Sequence, residues 1–227
     1  MRSNRVFRVG ILMIITAMIF LCFTACGDSS SSVKAAAEGL LGAIQKGDLI
    51  KAADLTTEEA ATEGDLSFIG DMRNLTANIL SALGLSEEDL SGEAKGALDD
   101  FREKLVTGFI KSYKVTEVEE EENTGYAACT ITYGYDPDSL ETSDFAGIMS
   151  GYIQKYTEEN KEELQKIMQE EGQDALIIEI ANHVIPDTLN EVAENILSTG
   201  EKSVKAILKV ENTDGIWLVT EAKISEQ

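Results

Sequence analysis

The sequence contains few of the residues from which catalytic and metal sites are usually built. Its 227 residues include one histidine, His183, and one tryptophan, Trp217. A single histidine cannot supply the usual ligand set of a zinc site. The chain also lacks a Gly-Xaa-Ser-Xaa-Gly elbow, a phosphate-binding glycine loop, a Cys-Xaa-Xaa-Cys pair and a dinucleotide fingerprint. We therefore expect neither a metal ion nor another cofactor.

Basic residues are scarce as well. The chain has 19 Lys and Arg against 41 Asp and Glu, which gives a formal net charge of −22. Because a nucleic-acid ligand needs basic side chains to neutralise its phosphates, this composition argues against nucleic acid as a partner. Anionic lipid head groups would be repelled in the same way. The expected partner is a protein or a small molecule, and membrane contact is expected through a lipid anchor alone.

The N-terminus has the composition of an export signal. Three arginines at positions 2, 5 and 8 precede residues 9–23, which carry no charge. A membrane-spanning helix needs about 20 apolar residues, whereas this run has about 15 and ends in small and polar residues. The segment therefore predicts a cleaved signal peptide rather than a retained membrane helix.

The residues that follow resemble a lipobox, the processing signal of bacterial lipoproteins. The match consists of Phe23, Thr24, Ala25 and Cys26, followed by Gly27, Asp28 and four serines. The resemblance implies cleavage before Cys26 and lipidation of its thiol. Cys22 is a poorer candidate, because bulky residues stand before it where small ones are wanted. The predicted organisation is a signal peptide over 1–25, a lipidated cysteine with a Ser-rich tether over 26–32, and a single α+β domain over 33–227.

Processing at Cys26 would leave Cys129 as the one remaining thiol, so no internal disulfide is expected. Cys129 lies in an apolar alternation with Ala127, Ile131 and Tyr133. This pattern predicts a buried thiol that behaves as a small apolar side chain.

Hydrophobic periodicity predicts an α+β fold with helices packed on a four-stranded antiparallel sheet. Amphipathic helices are expected over 33–44, 49–55 and 68–83, and another should begin at Ser86 with Asp89 completing a capping box. Strands are expected over 113–121, 126–135, 204–210 and 216–224. Between the two hairpins, a helix capped by Asp144 and a second helix over 174–197, kinked or broken at Pro186, form a long insert.

Two short stretches resemble bacterial lipoproteins of unknown function that carry a cystatin-like or NTF2-like domain. They are "LLGAIQKGD" at residues 40–48, continued by "LIKAADL", and "GIWLV" at residues 215–219. The resemblance implies that the first helix packs in a curled sheet, which a tryptophan-bearing strand completes near the C-terminus. The helical insert over 144–197 departs from the compact cone of NTF2-like domains.

His183 is the one residue that suggests acid–base or metal chemistry. On a helix it would share a face with Glu179 and Asp187, at spacings of four residues. Such a row could bind a divalent ion or transfer protons, although a solvated polar stripe is the simpler interpretation. The acidic stretch over 136–144 could likewise suggest calcium, but it lacks the spacing of an EF-hand loop and fits a turn that leads into a helix.

These features favour a membrane-tethered, extracytoplasmic lipoprotein that acts as a non-enzymatic binding or interaction module. Two alternatives stay open. The first is an enzyme that uses an NTF2-like cavity with His183 as acid or base. The second is a solute-binding receptor, although the chain lacks the alternating βα pattern of a two-lobed, hinged protein.

The lipobox generates the first prediction. Replacing Cys26 with alanine should abolish metabolic labelling by a radioactive fatty acid, because no other thiol follows small residues and precedes a polar tether. Cys22→Ala is the matched control and should label like the parent chain. Undiminished labelling of the Cys26→Ala chain would contradict the assignment.

Overall fold

The first helix, α1, spans Ser32–Gln45 in a computed structural model that describes residues 31–226. The Ser31 hydroxyl accepts a hydrogen bond from the Lys34 amide, so Ser31 is the N-cap. The helix predicted over 33–44 is thus confirmed. The serines at 31 and 32, which we expected in the tether, belong to this cap and helix. The proposed lipidation site, Cys26, lies outside the described residues.

Gly47 ends α1. It has a φ of +73°, and its amide donates to the Ile44 carbonyl while the amide of Asp48 donates to that of Ala43. This is the hydrogen-bond pattern of a Schellman motif, in which the left-handed residue is usually glycine. Asp48 then caps the next helix through the Lys51 amide.

Four short helices and then a longer one follow α1 along the chain. They are α2 (Leu49–Asp54), α3 (Glu58–Thr62), α4 (Phe68–Arg73), α5 (Leu75–Leu83) and α6 (Gly92–Phe109), with 3-10 turns at Gly64–Leu66 and Glu87–Asp89. The expected helix over 68–83 is interrupted at Asn74, whose φ and ψ of −97° and 4° lie outside the helical values. Asparagine disfavours helix interiors because its side chain competes for backbone hydrogen bonds, and periodicity alone does not detect such a break.

The capping box at Ser86 is present, but it caps a single 3-10 turn. The helix that we expected there, α6, begins at Gly92 and is capped by Ser91, whose hydroxyl accepts from the Ala94 amide. A contact remote in sequence fixes this later start. The side-chain amide of Asn182 accepts from the Ser91 amide at 2.6 Å and donates to the Asp89 carbonyl at 3.1 Å.

The four strands form one antiparallel sheet in the order β1-β2-β3-β4. The strands are β1 (Ile110–Glu120), β2 (Thr124–Tyr133), β3 (Lys202–Thr213) and β4 (Ile216–Glu226). Both predicted hairpins are therefore present. The second turns at Asp214 and Gly215, which have φ values of 54° and 87°, as a two-residue type I′ turn requires.

One face of the sheet is buried and the other is exposed. The buried face carries Ala127, Cys129, Ile131, Val204, Ala206, Leu208, Val210 and Val219. α1 lies against this face and contacts all four strands. The opposite face carries exposed side chains such as Tyr126 and Ile207. Along the sequence, the residues of the continuous hydrophobic core run from Val33 to Ala222.

The insert between β2 and β3 is helical, as predicted. It comprises α7 (Ser139–Thr142), α8 (Phe145–Glu159), α9 (Lys161–Glu170) and α10 (Gln173–Leu197). Asp144 caps α8 through the Gly147 amide. Pro186 lies inside α10 without ending it. Proline removes one helical hydrogen bond, but Ile185 and Leu189 beside it are fully buried, and their packing holds the helix across this point.

The α+β architecture with a four-stranded antiparallel sheet is confirmed. Because α1 and β4 meet in the same core, the two ends of the domain are packed together. Trp217 is only half-buried and packs against that core. The narrower cystatin-like or NTF2-like assignment stays a prediction.

The burial of α1 generates the second prediction. Leu40→Asp would place an unpaired carboxylate at a position that is 0% exposed. Burying such a charge costs several kcal/mol, against a typical free energy of unfolding of about 5–15 kcal/mol. Urea denaturation should therefore show a large loss of stability or no folded state.

Ile50→Asp is the matched control, since Ile50 on α2 is 71% exposed. Its unfolding midpoint should stay close to that of the parent chain. Equal stability of the Leu40→Asp and Ile50→Asp chains would show that α1 is not packed in the core.

Candidate functional site

A cleft of about 700 Å³ opens at one end of the sheet. Small-molecule sites usually have volumes of roughly 300–1,000 Å³, so this cleft is of suitable size. The sheet lines it with Tyr133, Val204 and Ile224, and α10 adds Val192 and Ile196. The remaining walls come from α4, α5, α6 and the start of the helical insert.

The interior of the cleft is apolar. Its floor consists of buried side chains from α6, α10 and the sheet, namely Phe101, Leu105, Phe109, Tyr133, Val192, Ile196 and Val204. Its walls carry half-buried apolar side chains, namely Phe68, Leu75, Ile79, Leu140, Phe145 and Ile224. A ligand that covers these walls would remove more apolar surface from water, at about 25 cal/mol per Å².

Aromatic rings organise the floor around Phe109. Its ring centroid lies 4.5 Å from that of Phe68, 5.0 Å from that of Tyr133 and 5.7 Å from that of Tyr135. The Tyr135 hydroxyl donates to the Leu105 carbonyl at 3.0 Å, which attaches the end of β2 to α6. These contacts pack the floor into the core.

Tyr133 is the buried polar group of the cleft. Its side chain is 4% exposed, yet within residues 31–226 no group forms a hydrogen bond with its hydroxyl. Burial, reinforced by the charge of Asp65 and opposed by that of Lys202, raises the pKa of Tyr133 to about 12. The hydroxyl is therefore protonated at neutral pH, where it can both donate and accept a hydrogen bond.

The lining has neutral polar side chains at Ser67, Asn78 and Ser143, and its charged groups are three carboxylates and one ammonium group. They belong to Asp65, Asp71, Asp138 and Lys202. The Lys202 ammonium lies 3.0 Å from Asp136 and 3.1 Å from Asp138. A hydrogen bond from Lys202 lowers the pKa of Asp136. Asp65 accepts a hydrogen bond from the Ile224 amide at 2.7 Å, which ties the 3-10 turn to β4.

The predicted row of Glu179, His183 and Asp187 is only partly assembled. The Nδ1 atom of His183 lies 3.3 Å from a Glu179 carboxylate oxygen, and the imidazole stacks on the Tyr156 ring at a centroid distance of 4.6 Å. Tyr156 donates to Glu179 at 3.2 Å. Burial and the Glu179 charge raise the pKa of Tyr156 to about 12. Among the described residues, Asp187 makes no hydrogen bond or ion pair with His183.

The histidine cluster lies outside the cleft, because the cleft lining includes none of Glu179, His183, Asp187 and Tyr156. Tyr156 on α8 and His183 on α10 instead join two helices of the insert. An acid–base role for His183 would therefore need a binding place of its own. The side chains that the structure describes include no group of three His, Cys, Asp or Glu residues placed to hold a metal ion.

The acidic stretch over 136–144 forms the turn and helix cap that its spacing suggested. Asp138 lies directly before α7, and Asp144 caps α8. Two of its carboxylates, those of Asp136 and Asp138, contact the Lys202 ammonium. In the folded chain these two carboxylates are therefore paired with a lysine of the same chain.

Sequence reasoning did not predict the cleft. It assigned Phe68, Leu75 and Ile79 to the buried stripe of one helix, whereas α4 and α5 leave them half-exposed. It placed Tyr133 in the apolar alternation around Cys129 and did not consider its hydroxyl. The available signal was a phenol in an otherwise apolar strand face, because a buried tyrosine hydroxyl usually has a partner.

Comparisons with protein-family models, with curated proteins and with solved structures found no match to this chain. Within residues 31–226, no helix is both long and apolar enough to cross a bilayer.

Cys129 generates the third prediction. Burial raises the pKa of this thiol to about 11, because the charged thiolate is disfavoured among apolar side chains. At pH 8 the thiolate fraction of a cysteine with a pKa of about 11 is about 100-fold or more below that of an ordinary cysteine. Iodoacetamide should therefore alkylate Cys129 at least about 100 times more slowly in the folded domain than in urea.

A chain that begins at Ser31 contains Cys129 as its only thiol and is suitable for this measurement. Because the folded-state pKa is raised, the stabilising contribution of the protonated thiol is complete below the unfolded-state pKa. It is lost as the pH rises towards about 11. Alkylation at equal rates in native buffer and in urea would show that Cys129 is exposed.

Proposed function

We propose that this chain is a membrane-tethered, non-enzymatic binding module whose cleft holds a small, largely apolar ligand. The observation that carries the proposal is the combination of a packed aromatic floor with half-exposed apolar walls. An apolar cleft with a few convergent polar groups is the usual form of a small-molecule site.

The tether is supported by the lipobox at Cys26 and by the short distance between it and the folded domain. Four residues, 27–30, separate Cys26 from the N-cap of α1. Two acyl chains on the cysteine would give stable anchoring at about 0.8 kcal/mol per buried CH₂ group. The high negative charge of the domain would oppose direct contact with anionic head groups, so the lipid would provide the attachment.

The binding role is favoured over catalysis by the chemistry of the cleft lining. Its charged groups are three carboxylates and one lysine, and that lysine contacts two aspartates. The histidine on which an acid–base mechanism would depend lies in another part of the structure. The lining does provide what retention of an apolar ligand needs: shape, apolar surface and a small number of polar contacts.

The test is the binding of Nile red, a neutral dye whose fluorescence rises in apolar surroundings, to a chain that begins at Ser31. Ile79→Trp should fill part of the cleft and reduce dye binding about tenfold or more, which corresponds to about 1.4 kcal/mol. Ile216→Trp is the matched control, because Ile216 is 57% exposed at the β3–β4 turn. This control should bind the dye like the parent chain.

Thermal melts should show that both variants are folded. If Ile79→Trp fails to fold, Leu75→Trp fills the same cleft from another position on α5. Unchanged dye binding in the folded cleft variants, or equal losses in the Ile216→Trp control, would contradict the proposal.

A further inference from the structure

Some of the carboxylates at the cleft contact a cationic side chain, and others do not. Asp136 and Asp138 share the Lys202 ammonium. In contrast, Asp65 and Asp71 form no ion pair with any Lys, Arg or His of the described residues. Counting Asp65, Asp71, Asp138 and Lys202, the lining carries a formal charge of −2. Two carboxylates without a cationic partner therefore border an apolar cleft.

Asp65 is exposed to solvent, but a hydrogen bond holds its carboxylate in place. One of its oxygens accepts the Ile224 amide at 2.7 Å, which leaves the other oxygen able to accept from a ligand. Asp65 and Tyr133 both line the cleft, and the Asp65 charge contributes to the raised pKa of Tyr133 because it disfavours the phenolate form. Asp71 lies on α4 within the same lining.

The Tyr133 hydroxyl is an independent indication of a ligand. The Tyr133 side chain is 4% exposed and lines the cleft. Among the described residues, no protein group forms a hydrogen bond with its hydroxyl. In the same part of the chain, the fully buried side-chain oxygens that lack a partner are those of Thr76, Thr188 and Thr220, so the Tyr133 oxygen is accessible from the cleft. A polar group of a ligand could therefore bind it there.

We propose that the cleft takes an amphiphilic cation, with its apolar body against the Phe109 floor and its cationic head near Asp65, Asp71 and the Tyr133 hydroxyl. This inference rests on the proposed function and names the ligand class. A positively charged N–H group suits this place because it donates to carboxylate and phenol oxygens, and hydrogen bonds between charged groups are the stronger ones. An anionic head would meet two uncompensated carboxylates.

The test is the displacement of Nile red from the chain beginning at Ser31 by three compounds with the same tail: n-decylammonium, n-decanol and n-decyl sulfate. The compounds are used below their micelle-forming concentrations, in about 0.15 M salt, which limits long-range attraction by the acidic domain to about 8 Å. The ammonium compound should displace the dye at about tenfold lower concentration than the alcohol. The sulfate should be the weakest of the three.

The paired variants separate the local site from the general charge of the domain. Asp65→Asn combined with Asp71→Asn should bring the ammonium-to-alcohol ratio close to one while Nile red still binds. The control combines Asp174→Asn with Asp214→Asn, which changes the net charge equally at exposed positions outside the lining. That control should retain the roughly tenfold preference. Tyr133→Phe should weaken the ammonium compound severalfold more than it weakens the dye.

Each outcome decides the inference. Equal or tighter binding of the sulfate compound, or the same loss of preference in both double variants, would overturn the cationic ligand class while the binding module stands. Failure of Nile red and all three compounds to bind the parent chain would instead overturn the proposed function, and this inference with it.

Discussion

The close approach of α6 to the end of β2 is the contact on which the cleft depends. α6 ends at Phe109 and β1 begins at the next residue, so no loop separates helix from sheet. The Gly134 amide donates to the Phe109 carbonyl at 3.0 Å, and a Cβ on Gly134 would overlap the Gly108 carbonyl oxygen. Only glycine at 134 permits this contact, which brings the rings of Phe109, Tyr133 and Tyr135 together and creates the cleft floor.

The elements that sequence predicted well are those whose signals are local. α1 has a continuous apolar stripe and a glycine stop, and the β3–β4 hairpin has an Asp-Gly turn between alternating residues. Hydrophobic periodicity and turn-forming residues are signals that extend over only a few residues. A single sequence is therefore enough to predict such helices and hairpins. The alternation around Cys129 likewise predicted its burial correctly, because strand residues two apart face the same side.

The features that were missed depend on partners remote in sequence. Asn182 fixes the start of α6 by bonding to residues about 90 positions earlier, and Lys202 contacts carboxylates more than 60 positions away. The cleft is a space that α4, α5, α6, α10 and the sheet leave between them, and no segment encodes it alone. Apolar periodicity predicts that Phe68 and Ile79 face inward, but it cannot predict that neighbouring elements stop short of covering them.

The start of α1 and the cleft lie at opposite ends of the sheet. At the start of α1, Val33 packs against Gly125, where an added Cβ would overlap its side chain, and the Val33 amide donates to Glu120. The folded domain therefore begins at the β1–β2 turn. Tyr133 in the cleft floor lies eight residues further along β2, which at about 3.4 Å per residue is about 27 Å away. α1 therefore enters the core at the end of the sheet remote from the cleft, and no residue of α1 is part of the cleft lining.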